Sequence, residues 1–339
     1  MDLEDGNFMA VFYPSFTGSP GIGERVLLNT TAVDLRLGTG GCHFIQARER
    51  SGEASSSCPG HIMKLRYTPW QFPVLSVEEG DSPWHDRMVQ AESIAGVPVV
   101  VGTLHSQLIP VILGWRMLDT PGARIVFCMT DGAALPAQFS ETLRILKSEG
   151  LLQAVVTVGQ AFGGDLEAVN IYSGLIAARH VAGADLIVVG MGPGIVGTGT
   201  PYGFSGIEQG INVDAAANLD GYPIAVPRVS FADARQRHYG VSEHTLVALG
   251  KACSRQALVL LPDDLDAGRK KLLQEKISVL ADKHKVVFSS CREERLILEG
   301  ASLPLSSMGR TFRDDPYFFI TACLAGRAAA EIWKGLRQW

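Results

Sequence analysis

Residues 184–210 read ADLIVVGMGPGIVGTGTPYGFSGIEQG: an apolar run of strand length that passes into a loop dense in glycine and threonine. Within it, Gly192-Pro-Gly194-Ile-Val-Gly197 has the G-x-G-x-x-G spacing of a dinucleotide fingerprint. That fingerprint works only where a strand leads straight into a helix, so that helix N–H groups meet the pyrophosphate. Here three more glycines and a proline follow Gly197, and helical periodicity resumes only near Ile207. An acidic residue about twenty positions on should end the next strand. Asp214 and Asp220 fall instead in the following helix and the loop after it. These departures argue against a Rossmann-type NAD site, and what remains is a strand followed by a long glycine-rich loop.

Such a loop offers backbone N–H groups at little steric cost and can form an anion-binding nest. Thr198, Thr200, Tyr202 and Ser205 add hydroxyls, and Glu208 falls in the first turn of the next helix. The alternative is a structural Ω-loop packed on its own side chains. Long loops after strands in compact domains are usually functional, which favours a ligand.

Working outward, strands are expected at 97–101, 124–129, 154–158, 185–189, 223–229, 257–261 and 285–288. Between them lie a helix to about Leu118, one from Pro136 to near Gly150, and one with Val169, Tyr172, Leu175 and Ile176 on a single stripe. Further helices follow from Ile207, over 242–254, over 266–282 and from about Asp315. This alternation at crossover spacing implies an α/β fold, a mostly parallel Rossmann-like sheet with helices on both faces. Residues 1–80 are different: short β-prone runs such as GCHFIQAR and HIMKLRY, broken by Gly, Pro and Ser, suggest a small β-barrel or sandwich. The organisation expected is a β-domain over 1–80, a linker over 81–95 and the α/β domain over 96–339. Asp5-Gly6 is a hairpin signal with only four residues before it, which suggests a truncated first strand.

At 339 residues, 46% hydrophobic and 19% charged, the chain has the makings of a large core rather than of a disordered segment. Its formal charge of −5 and lack of a dense Lys/Arg run argue against nucleic acid as a partner. No apolar run approaches bilayer length, and the N-terminus lacks the pattern of a signal peptide, so a cytoplasmic location is expected. The six cysteines lack C-x-x-C spacing and read as reduced thiols.

In a parallel α/β sheet the loops that follow strands emerge together at the carboxyl edge, where ligands bind. Those loops carry His105, Ser106 and Gln107, then Asp131, then Asp165, then the glycine-rich loop, then Arg228, Asp233, Arg235, Arg237, His238 and His244. The opposite connections carry ordinary turn chemistry. The candidate catalytic residues are accordingly Asp131, His105, Asp165 and Glu208. The candidate ligand-binding residues are Ser106, Gly192, Gly194, Gly197, Thr198, Gly199, Thr200, Tyr202, Ser205, Arg228 and His238. Each has a structural alternative: Asp131 capping the next helix or shaping a turn, Asp165 capping a helix that begins near Leu166, His105 hydrogen-bonded in the core, Ser106 capping a helix. His180, at the end of its helix, reads as structural. No metal-binding spacing occurs; a hard-metal site from Asp131, Asp165 and Glu208 would need the fold to assemble it.

The stretches GERVLLNTTAVDLRLGTGG, GHIMKLRYTPWQ, MTDGAALP, GQAFGGDLEAVNIYSGLIAARHV, GMGPGIVGTGTPYGFSG, VSEHTLVALG and SMGRTFRDDP together resemble a bacterial family known as domain of unknown function 3866. The resemblance spans essentially the whole chain. It implies a bacterial cytoplasmic protein and carries no catalytic roles, and no cofactor is identifiable. The expectation is a small anionic ligand, held at the glycine-rich loop by a hydrolase or group transferase. A non-catalytic sensor or oligomeric scaffold is the alternative, and self-association is left open.

Overall fold

Five segments, PVVV, IVFCMT, AVVTV, LIVVGM and LVLLP, are apolar on both faces but for Thr130 and Thr157, and every residue in them is buried. Strands covered on both faces have this composition. The computed structural model describes residues 8–36, 41–49, 58–132 and 135–337, and the chain divides into two compact units, Met1–Pro73 and Val74–Trp339.

The larger unit is built on one eight-stranded sheet. Its strands are β1 (Pro98–Val101), β2 (Ile125–Thr130), β3 (Ala154–Val158), β4 (Leu166–Ala168), β5 (Leu186–Met191), β6 (Tyr222–Ala225), β7 (Leu258–Pro262) and β8 (Lys285–Ser289). Their order is β8-β7-β6-β1-β5-β2-β3-β4, and all neighbours run parallel. Its helices of eight residues or more are α1 (Leu108–Arg116), α2 (Glu141–Ser148), α3 (Ile171–His180), α4 (Glu208–Asn218), α5 (Glu243–Lys251), α6 (Ala267–Ile277), α7 (Arg292–Glu299) and α8 (Pro316–Trp333). The chain leaves β2 towards β3 on one side and β5 towards β6 on the other. The ends of these two neighbouring strands therefore flank a point where the winding reverses.

Two local expectations are corrected. The second helix does not begin at Pro136. That residue is extended and bridges to Phe162, a 3₁₀ turn Ala137–Phe139 follows, and Ser140 caps α2 by accepting the Leu143 N–H. Leu166–Ala168 is a strand rather than the start of a helix. Asn170 caps α3 through the N–H groups of Tyr172 and Ser173, which leaves Val169 outside the stripe. The link from β3 to β4 needs no helix because β4 starts beside Val156, so the chain steps back only a short way. Glycine makes that step possible: Gly163 has φ +79°, and a Cβ on Gly164 would lie 2.7 Å from the Val155 carbonyl oxygen. α7 and a short hairpin, Ser306–Ser307 with Arg310–Thr311, were not foreseen.

α8 is buried around nearly its whole circumference, packed on α1, β1 and β7. No helix among the described residues is long and apolar enough to cross a membrane.

In the smaller unit, His43–Arg48 pairs in parallel with Ala10–Val11 and antiparallel with Val26–Asn29, and Ile62–Lys64 pairs with Phe72–Val74. Its described residues form small sheets, short of the barrel or sandwich expected. The Asp5-Gly6 turn and most of the polar connection over 51–60 lie outside the described residues.

Candidate functional site

Beyond β1 the chain enters a 3₁₀ turn, His105–Gln107, that runs directly into α1. Gln107 Oε1 folds back to accept the N–H groups of Thr103 and Leu104 at 2.8 and 3.1 Å, which fixes the turn. The His105 ring is then held from both sides. Nδ1 lies 3.2 Å from the carbonyl oxygen of Met191, the last residue of β5, and Nε2 lies 2.6 Å from Ser140 Oγ. A carbonyl only accepts, so Nδ1 carries the proton, Nε2 is the acceptor, and the Ser140 hydroxyl donates to it. Burial, partly offset by the Met191 bond, pushes the His105 pKa down to about 4. The ring is neutral at pH 7.

His105 and Ser106 line a cavity of about 260 Å³ together with Thr142 of α2, residues 192–195 and residues 306–308 of the short hairpin. Ser106 donates to Ser307 Oγ at 2.8 Å, which ties the hairpin to the start of α1. The backbone N–H groups of His105, Ser106, Gly192, Gly194 and Ile195 take no acceptor among the described residues.

The glycine-rich loop thus divides into two parts. Residues 192–195 face the cavity, and residues 196–205 close on themselves as a hairpin. Ser205 N–H donates to the Val196 carbonyl at 3.0 Å, and Thr198 N–H to the Gly203 carbonyl at 2.8 Å. Thr198 and Thr200 share a hydroxyl contact of 2.9 Å, and Ser205 Oγ accepts the Val196 N–H at 3.1 Å. Among the predicted ligand residues, Gly192, Gly194 and Ser106 therefore meet at the cavity. Gly197, Thr198, Gly199, Thr200, Tyr202 and Ser205 belong to the self-bonded part, with Tyr202 exposed.

Glu208 opens α4 and accepts a hydrogen bond from Thr130 Oγ1 at the end of β2. Burial raises its pKa to about 7; the Thr130 bond opposes the shift and the neighbouring Asp131 charge adds to it. Asp131 is exposed and accepts the Gln160 N–H at 3.3 Å. Asp165 stands apart from both. Its carboxylate accepts the Val155 N–H at 2.8 Å and pairs with Lys147, so it caps no helix and joins no cluster with Asp131 and Glu208. Among the described residues no group of three or more His, Cys, Asp or Glu side chains is placed to hold a metal ion.

Because the folded pKa of Glu208 lies above the ordinary glutamate value of about 4.3, its stabilising contribution is complete below that value and is lost as pH rises through about 7. Glu208→Gln keeps an acceptor for Thr130 but cannot titrate. The variant's stability relative to wild type should therefore rise by more than about 1 kcal/mol between pH 5 and pH 8. Urea unfolding of both proteins at the two pH values checks this; an unchanged difference would count against a proton held at Glu208.

After β6, Arg228 is buried against Asp233, which Arg235 also grips through two bonds of 2.9 and 2.8 Å. Those arginines hold the Asp233 carboxyl well below the usual range, and burial lowers Arg228 to about 10. The other side of Arg228 Nη2 meets Met308 Sδ, a residue of the cavity wall, at 3.4 Å. His238 accepts from Arg237 Nε on one nitrogen and donates to Ser242 Oγ with the other. Burial and the surrounding arginines depress it to about 3. Arg228 thus braces the cavity wall at Met308, whereas His238 is bonded to its chain neighbours Arg237 and Ser242. His180 is structural as expected: its Nε2 meets the Ser93 carbonyl at 2.7 Å.

Ser140, Thr130, Thr142 and the hairpin over 306–311 were missed. Ser140 had a readable signal, a serine directly before the amphipathic run ETLRILK. Met308-Gly309 in SSMGRT marks a tight turn, with φ of +52° and +76° at the two residues.

No curated protein and no solved structure matches the chain. A family model described as protein of unknown function (DUF3866) matches residues 9–326. The match takes in the cavity, both parts of the glycine-rich loop and most of α8, so the chain belongs to the DUF3866 family.

Proposed function

We propose that the protein binds a small anionic, oxygen-rich metabolite, phosphorylated or carboxylated, in the cavity at the carboxyl edge of the sheet, and hydrolyses or transfers a polar bond there. One observation carries this reading. Five backbone N–H groups without acceptors among the described residues belong to the lining of one 260 Å³ cavity, contributed by the loops after β1 and β5. Unpaired N–H groups are costly in a dry interior and suit ligand oxygens. Neutral His105 supplies a proton acceptor on the same wall, and Glu208, which keeps its proton close to neutrality, is the acid on the same sheet edge. The free cysteines, five buried and one half-buried, suit a reducing setting such as a bacterial cytoplasm.

Gly194 tests the reading. Its φ is +105°, and a Cβ there would meet only Leu135 Cδ1, at 3.9 Å. Gly194→Ala therefore strains the loop without crowding the core. Titration calorimetry with inorganic phosphate and a panel of phosphorylated and carboxylated metabolites should detect binding to wild type. The variant should lose roughly tenfold in affinity or more, about 1.4 kcal/mol, while its melting temperature falls by only a few degrees. Wild-type protein that binds none of these anions overturns the proposal. Binding without turnover would make the site a sensor.

A further inference from the structure

Ser140 is 3% exposed, and its hydroxyl oxygen bonds to His105 Nε2 and to the Leu143 N–H. The geometry forms one line: the Met191 carbonyl accepts from His105 Nδ1–H, and His105 Nε2 accepts from the Ser140 hydroxyl at 2.6 Å. Met191 ends β5, His105 follows β1, and Ser140 follows β2, so the sheet edge itself assembles the line. A helix cap explains only part of this. Capping α2 requires that Ser140 Oγ accept the Leu143 N–H, which it does at 3.1 Å. It requires neither a histidine on the hydroxyl proton nor a carbonyl 86 residues from that histidine fixing its tautomer.

From this geometry we infer that Ser140 is the nucleophile of an acyl-transfer site, with His105 as its base and the Met191 carbonyl as the group that orients the base. A hydroxyl, a base within hydrogen-bond reach and a third group orienting the base are the parts that make a weak nucleophile reactive. The inference rests on the hydrolase or transferase reading above and deepens it by naming the attacking atom and the substrate class, a carboxylic ester or thioester.

The surroundings supply the remaining chemistry. The Leu143 N–H stabilises negative charge on Oγ. The N–H groups of Glu141 and Thr142, in the first turn of α2, take no acceptor among the described residues and can receive the oxyanion. Ser140 also borders a second cavity, of about 320 Å³, together with Leu143, Arg144 and Lys147. In the step itself, Oγ bonds to the acyl carbon while its proton passes to His105 Nε2. The bond from that carbon to the leaving oxygen or sulfur breaks, and the leaving group takes the proton from Nε2. Water then repeats the sequence, regenerating the hydroxyl and releasing the acid.

A fluorophosphonate probe tests this without the natural substrate. Attack by Oγ breaks the P–F bond, and fluoride leaves with the serine proton that His105 accepted. Folded wild-type protein, digested and mapped by tandem mass spectrometry, should carry a single adduct, on Ser140. His105→Gln should slow labelling by roughly a hundredfold or more, and Ser140→Ala should abolish it. Ser140→Ala also removes a helix cap, so the deciding measurement is made on wild type, with and without 6 M urea. An adduct on another serine, no adduct at all, or labelling that survives urea overturns the inference. Anion binding without labelling fails this proposal alone, and labelling without anion binding fails the anion reading alone.

Discussion

Gly326→Ala is expected to destabilise the protein by about 3 kcal/mol or more, against the sign that helix propensity predicts. In an ordinary helix interior, alanine in place of glycine gains up to about 1 kcal/mol. At Gly326 a Cβ would overlap the carbonyl group of Val111 in α1, and a Cβ on Gly114 would overlap that of Cys323 in α8. The two glycines thus let the helices touch backbone to backbone. The obstructing atoms are main-chain atoms that no rotamer change can remove, so relief requires the helices to move apart. α8 carries Phe318, Phe319, Ile320 and Leu324 into the core, each at most 3% exposed. Separation would loosen all of these contacts at once, which places the cost at or beyond the upper end of ordinary overpacking, about 1–3 kcal/mol. Urea unfolding is the measurement, and a variant as stable as wild type would show that the crossing tolerates a wider spacing.

Arg327→Met should cost about 3–5 kcal/mol, the range for removing one partner of a buried ion pair. Glu294 in α7 is fully buried, and Arg327 Nε lies 2.8 Å from its Oε1. The contact is an ion pair rather than an aligned hydrogen bond, because neither Glu294 oxygen has a hydrogen-bond partner among the described residues. Burial already raises the carboxyl's pKa, with the Arg327 charge opposing. Without the guanidinium, Glu294 must either take up a proton or sit charged in a dry site. Arg327 also bonds to Ser289 Oγ at 2.8 Å, so α8, α7 and the end of β8 are joined through one side chain. Combining Arg327→Met with Glu294→Leu should restore most of the loss, because the stranded charge is gone. A double variant no more stable than Arg327→Met alone would assign the cost to lost packing instead.

The central strands were legible because unbroken runs of valine, isoleucine and leucine have few other uses in a chain of this kind. Leu166–Ala168 was not: three residues establish no period, and the parallel partner follows without the helix that normally announces one. Strand order was also beyond reach. The placing of β5 between β1 and β2 depends on contacts between residues far apart in the chain, such as Val188 with Phe127. At the site, the meeting of His105 and Ser106 with residues 192–195 of the glycine-rich loop could be read from topology alone. The division of that loop at residue 196 could not, since it depends on which N–H groups find their own carbonyls. Asp165 illustrates the same limit: an aspartate before LEAV fits a helix cap, until the carboxylate turns out to accept the N–H of Val155 in the neighbouring strand.

α8 follows every strand of the sheet in the chain, yet it covers β1 and β7 on one face and packs along α1. During synthesis, then, the valines of β1 and the leucines of β7 leave the ribosome well before the helix that will cover them. Until α8 emerges, that face of the sheet has no native cover from it, and the growing chain passes through a stage with apolar surface open to other nascent chains. The order of parts makes the large domain's folding a late event, closed by the segment that carries Gly326 and Arg327.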